Sequence, residues 1–534
     1  MLIRSGSLPD GTALRSDVAI VGSGPAGLSL AEGLADRRCR VLILESGPVS
    51  RRRGGRRPLM GESTGQPFPI ATSRARGFGG TSQLWLPGTG LRARRLDAID
   101  FQPSAVRSGL GWPYSADELE PFYQRAYARL GLDPGLPDAE WLPDPGVSAE
   151  DGSKLAAFQF VDRSVFADSL GQVADSPWIE LMPDATVRAI EVSPDTGEVA
   201  GLEVTSGAGS RLRIEATRYV LAGGAIENAR LLLESPGLSG AGVGNEYDQV
   251  GRWFMDHLCV DTGIVVPSRP GAFNTAPYEE TTTAGGARNQ PMLWLGEGAI
   301  RRQNLLNAAF WVFRARPGYL SQGVQSIRTL RQGLETTPRL PGAPAQLLGA
   351  LRGWRQAARY ELSRSGKAAG GGPLVMRALG EQVPDACSRV TLSDRRDAHG
   401  RRRVKLNWRV NPEDVWHLRR HQELLAEGFE RHGVGTIIDN LPSDGTLPLF
   451  WTNHHHLGGT RMHADHKRGV VDDDCRVHSA RNLFVVGGSV FPTGGYVNPT
   501  LTIMALAIRT ADVIRGELGQ PPLRLSETEI RDHG

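Results

Sequence analysis

The sequence predicts a mixed α/β fold, α+β over the chain as a whole, with one part built on a parallel sheet and the other on a discontinuous antiparallel sheet. Three observations predict it. Residues 17–45 read as strand, glycine-rich turn, helix and strand. The middle of the chain reads as strands and a hairpin around a helical insert. The tail from residue 450 returns to strand, glycine-rich loop and helix.

Residues 17–21 (DVAIV) form a continuous, β-branched apolar run, the pattern of a strand buried on both faces. Residues 26–36 carry Leu28, Ala31, Leu34 and Ala35 at helical spacing, and residues 40–45 (RVLILE) read as a second buried strand, completing a βαβ unit. Residues 46–113 have loop character, rich in Gly, Arg and Pro. Ser115 and Glu118 form a capping box that opens a helix with Leu119, Phe122, Tyr123 and Ala126 on its apolar face. Residues 185–222 read as strands with polar turns. Segments 292–295 and 308–313 read as strands beside a Leu- and Arg-rich helical insert at 318–365, and residues 366–372 as a flexible break. Residues 388–393 and 403–408 flank a polar turn as a hairpin does. Residues 412–432 read as a helix, 483–486 as a strand and 499–518 as the last helix.

Composition narrows the function classes. The 534 residues are 40% hydrophobic and 22% charged, ordinary globular material, enough for two or three domains or one large two-lobed enzyme. A net charge of +3 gives no whole-chain reason to bind nucleic acid. The densest basic run, Arg51-Arg52-Arg53-Gly54-Gly55-Arg56-Arg57, reads as a solvated loop rather than an anion patch. Cys39, Cys259, Cys387 and Cys475 show no zinc spacing and make a thin disulfide framework for this length. Residues 1–15 lack the apolar core of a signal peptide, and no apolar stretch is long enough for a bilayer. The expectation is a cytoplasmic chain with no membrane and no nucleic-acid partner.

Gly22-Ser23-Gly24-Pro25-Ala26-Gly27 matches GxGxxG, and its place between a strand and a helix makes the match specific for a dinucleotide. Gly22 permits the tight turn, Gly24 the approach of a pyrophosphate and Gly27 close packing of helix on strand. The phosphates then face a helix N-terminus, whose free N–H groups and dipole favour anions. Glu45 follows Gly27 by 18 residues, placed to accept from ribose hydroxyls and to repel a 2′-phosphate, which argues against NADP. The fingerprint alone does not separate FAD from NAD. Residues 219–230 (YVLAGGAIENAR) read as a second strand, Gly-Gly turn and helix.

Two C-terminal segments carry residue types suited to catalysis: 453–462 (NHHHLGGTRM) and 494–503 (GGYVNPTLTI). Histidine has the unperturbed pKa nearest neutrality and suits a general base. Asn498 is no base near neutral pH but can donate a hydrogen bond to a substrate oxygen. His454, His455 and His456 with His463 and His466 read alternatively as a metal cluster, but their spacing is irregular and no acid is interleaved as in a zinc motif, so no metal is expected. His257, in Met255-Asp256-His257, reads as a structural histidine.

The order of these segments resembles that of the glucose–methanol–choline (GMC) oxidoreductases. The glycine fingerprint, GFGGTS at 77–82, VLAGGAIENARLLL at 220–233, VGRWFMDH at 250–257 and the paired C-terminal motifs carry the resemblance over nearly the whole chain. HHHLGGTRM and GGYVNPTLTI are most similar to the pyranose-oxidase-like and bacterial sugar-dehydrogenase branches. The resemblance implies FAD, held by Gly22, Gly24, Gly27, Glu45, Gly79, Gly80, Thr81 and Ser82. Ala222, Gly223, Gly488, Ser489, Asn498, Pro499 and Thr500 would complete the cofactor site. Counting back from Arg461-Met462, the family's catalytic His falls on His455, with His456 the runner-up and His454 last, and its second catalytic position falls on Asn498. The helix begun by Pro499 and Thr500 would aim its N-terminus at the isoalloxazine. Some pyranose oxidases hold FAD covalently through a His in the segment equivalent to 79–85; this chain has Gln83 and Leu84 there and no His, so non-covalent FAD is expected.

The resemblance thus implies oxidation of a secondary alcohol on a sugar, glycoside or polyol to the ketone. His455 would take the hydroxyl proton as hydride leaves for flavin N5, and oxygen, a quinone or another carrier would accept the electrons. The rival readings are a non-sugar alcohol such as a sterol or natural-product intermediate, and a flavin-containing lyase of the same fold. Outside the fold stand a metal-dependent hydrolase on the His cluster and a nucleic-acid binder on the Arg51–Arg57 run. Residues 1–110, 195–257 and 450–534 are expected to form a Rossmann-like FAD-binding domain. Residues 111–194 and 258–449 are expected to form the substrate-binding domain and connecting segments, the site lying where the two meet at the C-terminal ends of the parallel strands.

Overall fold

In the computed structural model the apolar run at 17–21 is the buried end of a longer strand, Thr12–Val21, whose Val18, Ala19 and Ile20 are fully buried. The structure describes residues 1–35, 39–49, 59–85, 91–135, 153–161, 164–282, 288–336, 343–355, 358, 360, 372–397, 399–445, 447 and 450–521. The arginine run at 51–57 and most of the break expected at 366–372 lie outside them.

Thr12–Val21 sits inside a seven-stranded sheet. On one side it pairs in parallel with Val41–Leu44, Val18 opposite Val41, and Val41–Leu44 pairs in parallel with Ile179–Met182. On the other side it pairs in parallel with Arg211–Leu221. The far edge of that strand takes two more: Val199–Ser206, antiparallel, beside its first residues, and Leu483–Val485, parallel, beside its last. Ala185–Val192 closes the sheet antiparallel to Val199–Ser206. A C-terminal strand is thereby built in next to the N-terminal βαβ unit, which brings the two ends of the chain to one site.

Helix Pro25–Leu34 opens with Pro25 in its first turn, where the missing N–H is no loss. Its Leu28, Leu30 and Leu34 are fully buried, each contributing roughly 1.5–3 kcal/mol. It packs on the C-terminal helix Thr500–Glu517 so closely that a Cβ on Gly33 would stand 2.8 Å from that of Ala511. The capping box of helix Ala116–Leu130 forms as expected: Glu118 N–H donates to Ser115 Oγ at 3.3 Å, and Ser115 N–H donates to Glu118 Oε2 at 2.8 Å.

The second sheet has nine strands among the described residues, all paired antiparallel. Leu258–Pro267, Leu374–Gly380, Ala308–Arg314, Arg288–Leu295 and Ser153–Val161 run side by side as its body. The expected hairpin is strands Arg389–Arg396 and Arg402–Asn407. The helical insert provides Gln322–Thr336 and Ala343–Arg352.

Three segments fall on the other side of the expected division. Ile179–Met182 and Ala185–Val192, expected in the substrate part, hydrogen-bond into the parallel sheet, and Leu91–Ala93, expected in the cofactor part, pairs with Ser153–Val161 in the antiparallel one. Such pairings are made by backbone N–H and C=O groups distant in the chain, which leave no local side-chain pattern. Among the described residues no helix is long and apolar enough to cross a membrane. Among the described residues no cysteine pairs in a disulfide; Cys39, Cys259 and Cys475 are buried and Cys387 is exposed.

Candidate active site

The site begins at the turn after Val21. Gly22 has φ +111°, and a Cβ there would meet Ala222 O at 2.7 Å. A Cβ on Gly27 would meet Gly22 O at 2.0 Å, so helix Pro25–Leu34 can lie against the turn only through glycine. Gly80, in the left-handed region at φ +54°, faces Gly24, where its Cβ would stand 2.9 Å from Gly24 Cα. Gly22, Gly24 and Gly80, from two loops, thus leave bare backbone around a helix N-terminus with unspent N–H groups. That donor set fits a pyrophosphate.

These turns open on a cavity of about 610 Å3, within the range of small-molecule sites. Gly22, Gly24, Glu45, Gly80, Thr81 and Ser82 line it. So do Ala222, Gly223, Gly488, Asn498, Pro499 and Thr500. Three residues expected to touch the cofactor are not on its wall and act one layer back. Gly27 makes the close approach just described. Gly79 N–H donates to Ser23 O at 3.0 Å and sits at φ +87°, joining the two glycine loops. Ser489 Oγ accepts from Asn228 Nδ2 at 3.1 Å and its carbonyl from Thr460 N–H at 2.9 Å.

Glu45 stands where the fingerprint places it, but its carboxylate is already engaged. Oε2 accepts from Ser23 N–H at 3.2 Å and Ser23 Oγ at 2.6 Å, and Oε1 from Gly47 N–H at 2.9 Å and Gly77 N–H at 3.0 Å. With about four lone-pair sites on a carboxylate, the residue pins three loops around the cavity before any ribose arrives. The backbone of Ser23, Gly47 and Gly77 carries no side-chain signal of this use.

The two C-terminal motifs meet on the same cavity. Asn498 Nδ2 lies 3.1 Å from His455 Nε2, and both side chains are half-buried on the wall. On the other edge of its ring, His455 Nδ1 lies 2.8 Å from Nδ1 of His257. His257 is fully buried, with Nε2 3.3 Å from Gly494 O. The sequence reads His257 as a structural histidine; the structure adds that it touches the candidate base directly. Only the fold reveals this, because the two lie 198 positions apart.

The adjacent histidines differ. His454 sits at φ 58°, a left-handed position that turns the chain between its neighbours. His456 is wedged between the rings of Phe68 and Phe254, with centroids at 5.3 and 5.9 Å, and its Nε2 has no hydrogen-bond partner. Asp256 lies beneath the group. Its Oδ1 accepts from the backbone N–H of His257 at 2.8 Å and of His455 at 3.0 Å. Its own N–H donates to Gln382 Oε1 at 3.0 Å, which also takes Trp408 Nε1–H at 2.8 Å. Neither Asp256 nor Gln382 was singled out from sequence; Asp256 lies within the quoted VGRWFMDH segment, and Gln382 has no local signal.

Enclosure dominates the electrostatics. It holds His455 well below the ordinary imidazole range, reinforced by the neighbouring His257, His454 and His456 and by Arg92. Burial pushes His257 down to about 4 and the Asp256 carboxyl up to about 7, the latter against the pull of the backbone N–H groups it accepts. His455 is thus held neutral, the form that can accept a proton. Arg92 also lines the cavity, its guanidinium 5.6 and 5.9 Å from the ring centroids of Phe160 and Trp311. The buried Arg74 pairs with Glu227 on another part of the wall. His463 and His466 do not join the cluster: His463 Nδ1 accepts from Asp465 N–H at 2.9 Å, and the exposed His466 lies against Tyr247. Among the described residues no three His, Cys, Asp or Glu side chains converge to hold a metal.

Comparison with known proteins gives the same arrangement a family. Residues 384–507 match the profile of the GMC oxidoreductase C-terminal domain, and residues 20–55 match an NAD(P)-binding Rossmann-like domain. A 6'''-hydroxyparomomycin C oxidase of Streptomyces lividus is 26% identical, covering 96% of this chain and 93% of its own. The fructose dehydrogenase large subunit of Gluconobacter japonicus is 24% identical, covering 95% of this chain and 99% of its own. A formate oxidase crystal structure shares the fold with a TM-score of 0.55 at 18% identity, covering 96% of this chain and 99% of its own.

Proposed function

Because this chain is a GMC oxidoreductase acting on alcohols, with FAD as its cofactor, we propose that it oxidises a secondary alcohol on a sugar, glycoside or polyol to the ketone, with His455 as base. The observation that carries the reading is the 3.1 Å contact between Asn498 Nδ2 and His455 Nε2 on the cavity that the glycine turns also line. An alcohol oxygen within hydrogen-bond reach of both atoms would give its proton to His455 Nε2 and accept from the Asn498 amide. The imidazole does general-base work typically worth about 10² to 10⁴-fold. The amide steadies charge that develops on oxygen as the proton leaves. The bound flavin supplies the hydride acceptor. Thr500 starts helix Thr500–Glu517 at the cavity wall, so a positive dipole end faces the same space. The names of the relatives, an oxidase of hydroxyparomomycin C and a fructose dehydrogenase, support a carbohydrate-like substrate.

Asn498→Ala removes the donor and keeps the base. Anaerobic flavin reduction is expected to slow about 10²-fold with FAD content unchanged; a rate equal to that of the unmodified enzyme contradicts the assignment.

FAD is held without a covalent bond in this reading. Residues 79–85 contain no histidine, and Gln83 is spent on a hydrogen bond from its Nε2 to Phe78 O at 3.0 Å. Acid precipitation is expected to leave the yellow colour in the supernatant. Flavin that stays with the denatured pellet after washing overturns this point.

A further inference from the structure

The contacts around His257 fix where every proton on the two facing imidazoles must be. His257 Nε2 lies 3.3 Å from Gly494 O, and a carbonyl oxygen can only accept, so Nε2 carries a proton. The ring is buried and neutral near pH 7, and a neutral imidazole has one N–H. His257 Nδ1 is therefore a bare lone pair. The 2.8 Å contact between the two Nδ1 atoms then requires His455 to be the donor. With its proton on Nδ1, neutral His455 keeps a lone pair on Nε2, the atom 3.1 Å from the Asn498 amide nitrogen.

We propose that His257 is a positioning residue that locks His455 in its Nδ1–H tautomer, so that the lone pair needed to take the substrate proton stays on Nε2, the atom beside Asn498. The role rests on the reading of His455 as the base.

Both ends of the device are anchored. Asp256 Oδ1 accepts the backbone N–H of His257 at 2.8 Å and of His455 at 3.0 Å, which sets the distance between the two side chains. Gly494 lies in the loop that leads to Asn498, so His257 holds the first C-terminal motif in register with the second. A carboxylate beside an imidazole raises its basicity; a neutral imidazole in that place orients the ring without a fixed negative charge. During turnover the substrate hydroxyl proton moves to His455 Nε2, while His455 keeps its Nδ1 proton and His257 its Nε2 proton. The charged or titratable groups around the pair are His454, His456, Asp256, Arg92 and Glu381.

The test is ring 15N NMR of the FAD-loaded enzyme with labelled histidine, the His455 signals being assigned by their loss in His455→Gln. The expected result for the unmodified enzyme is a protonated Nδ1 and a bare Nε2 on His455. His257→Phe is expected to give mixed tautomers and to slow anaerobic flavin reduction by about 10- to 100-fold, with little change in KM. That loss is smaller than removal of the base, because Asn498 still donates to Nε2. His257→Gln, whose Oε1 can accept from His455 Nδ1, is expected to restore the Nδ1–H signal and most of the rate. A proton on Nε2 in the unmodified enzyme overturns the proposal, whatever the variants do. So does His257→Phe with unchanged tautomer and rate. Full flavin reduction in His455→Gln would overturn the base assignment instead, and the tautomer measurement tells the two failures apart.

Discussion

His455→Ala is expected to bind FAD as the unmodified chain does and to reduce it about 10² to 10⁴ times more slowly. The side chain lines the same cavity as the pyrophosphate cradle at Gly22, Gly24 and Gly80, whose close approaches are to other residues. Its loss leaves Asn498 in place but without a proton acceptor 3.1 Å away. Stopped-flow reduction in the absence of oxygen separates this chemical step from reoxidation. His456→Ala is the discriminating partner. Because His456 fills space between Phe68 and Phe254, its truncation is expected to lower stability by roughly 2–4 kcal/mol, with flavin reduction in the folded fraction largely kept. The opposite pattern, full activity in His455→Ala and none in folded His456→Ala, moves the base by one residue.

Gly27→Val has the largest expected effect on the cofactor. The valine Cβ would need the place now 2.0 Å from Gly22 O, and that neighbour is backbone. Either the turn opens or helix Pro25–Leu34 lifts from the sheet, at a cost of at least about 3 kcal/mol. The purified variant is expected to be colourless and to stay so after incubation with FAD. Gly24→Ala separates folding from ligand approach. Gly24 has φ −76°, and the nearest heavy atom to an added Cβ is Gly80 Cα at 4.0 Å, so the chain tolerates the methyl. It is expected to fold and melt normally and to bind FAD at least about tenfold more weakly, because the methyl occupies the path of the phosphates. Normal FAD content in Gly27→Val contradicts the placement of the cofactor.

What could be read from the sequence and what could not follow different physics. The βαβ unit was legible because residues 18–20 and 41–44 are buried and lie in unbroken apolar runs, and because Gly22, Gly24 and Gly27 each answer a local backbone need. The capping box at Ser115 and the hairpin strands Arg389–Arg396 and Arg402–Asn407 were legible for the same reason: their signals are a few residues long. The sheet membership of Ile179–Met182 and Leu91–Ala93 was not, since short strands choose partners through backbone groups. In the site, His455 and Asn498 were reachable through their motifs. The contact of His455 with His257 was not, nor was the full occupation of the Glu45 carboxylate by Ser23, Gly47 and Gly77. These are long-range outcomes of packing.

The most direct test of the chain as a carbohydrate-oxidising flavoenzyme is an anaerobic absorbance titration of the FAD-loaded protein with sugars, glycosides, polyols and simple alcohols. The expected result is a flavin band that bleaches with at least one carbohydrate or polyol and does so at least about 10² times more slowly in His455→Ala. A band bleached only by non-sugar alcohols contradicts the substrate class. A band that no alcohol bleaches, in protein that holds FAD stoichiometrically, contradicts the proposed reaction.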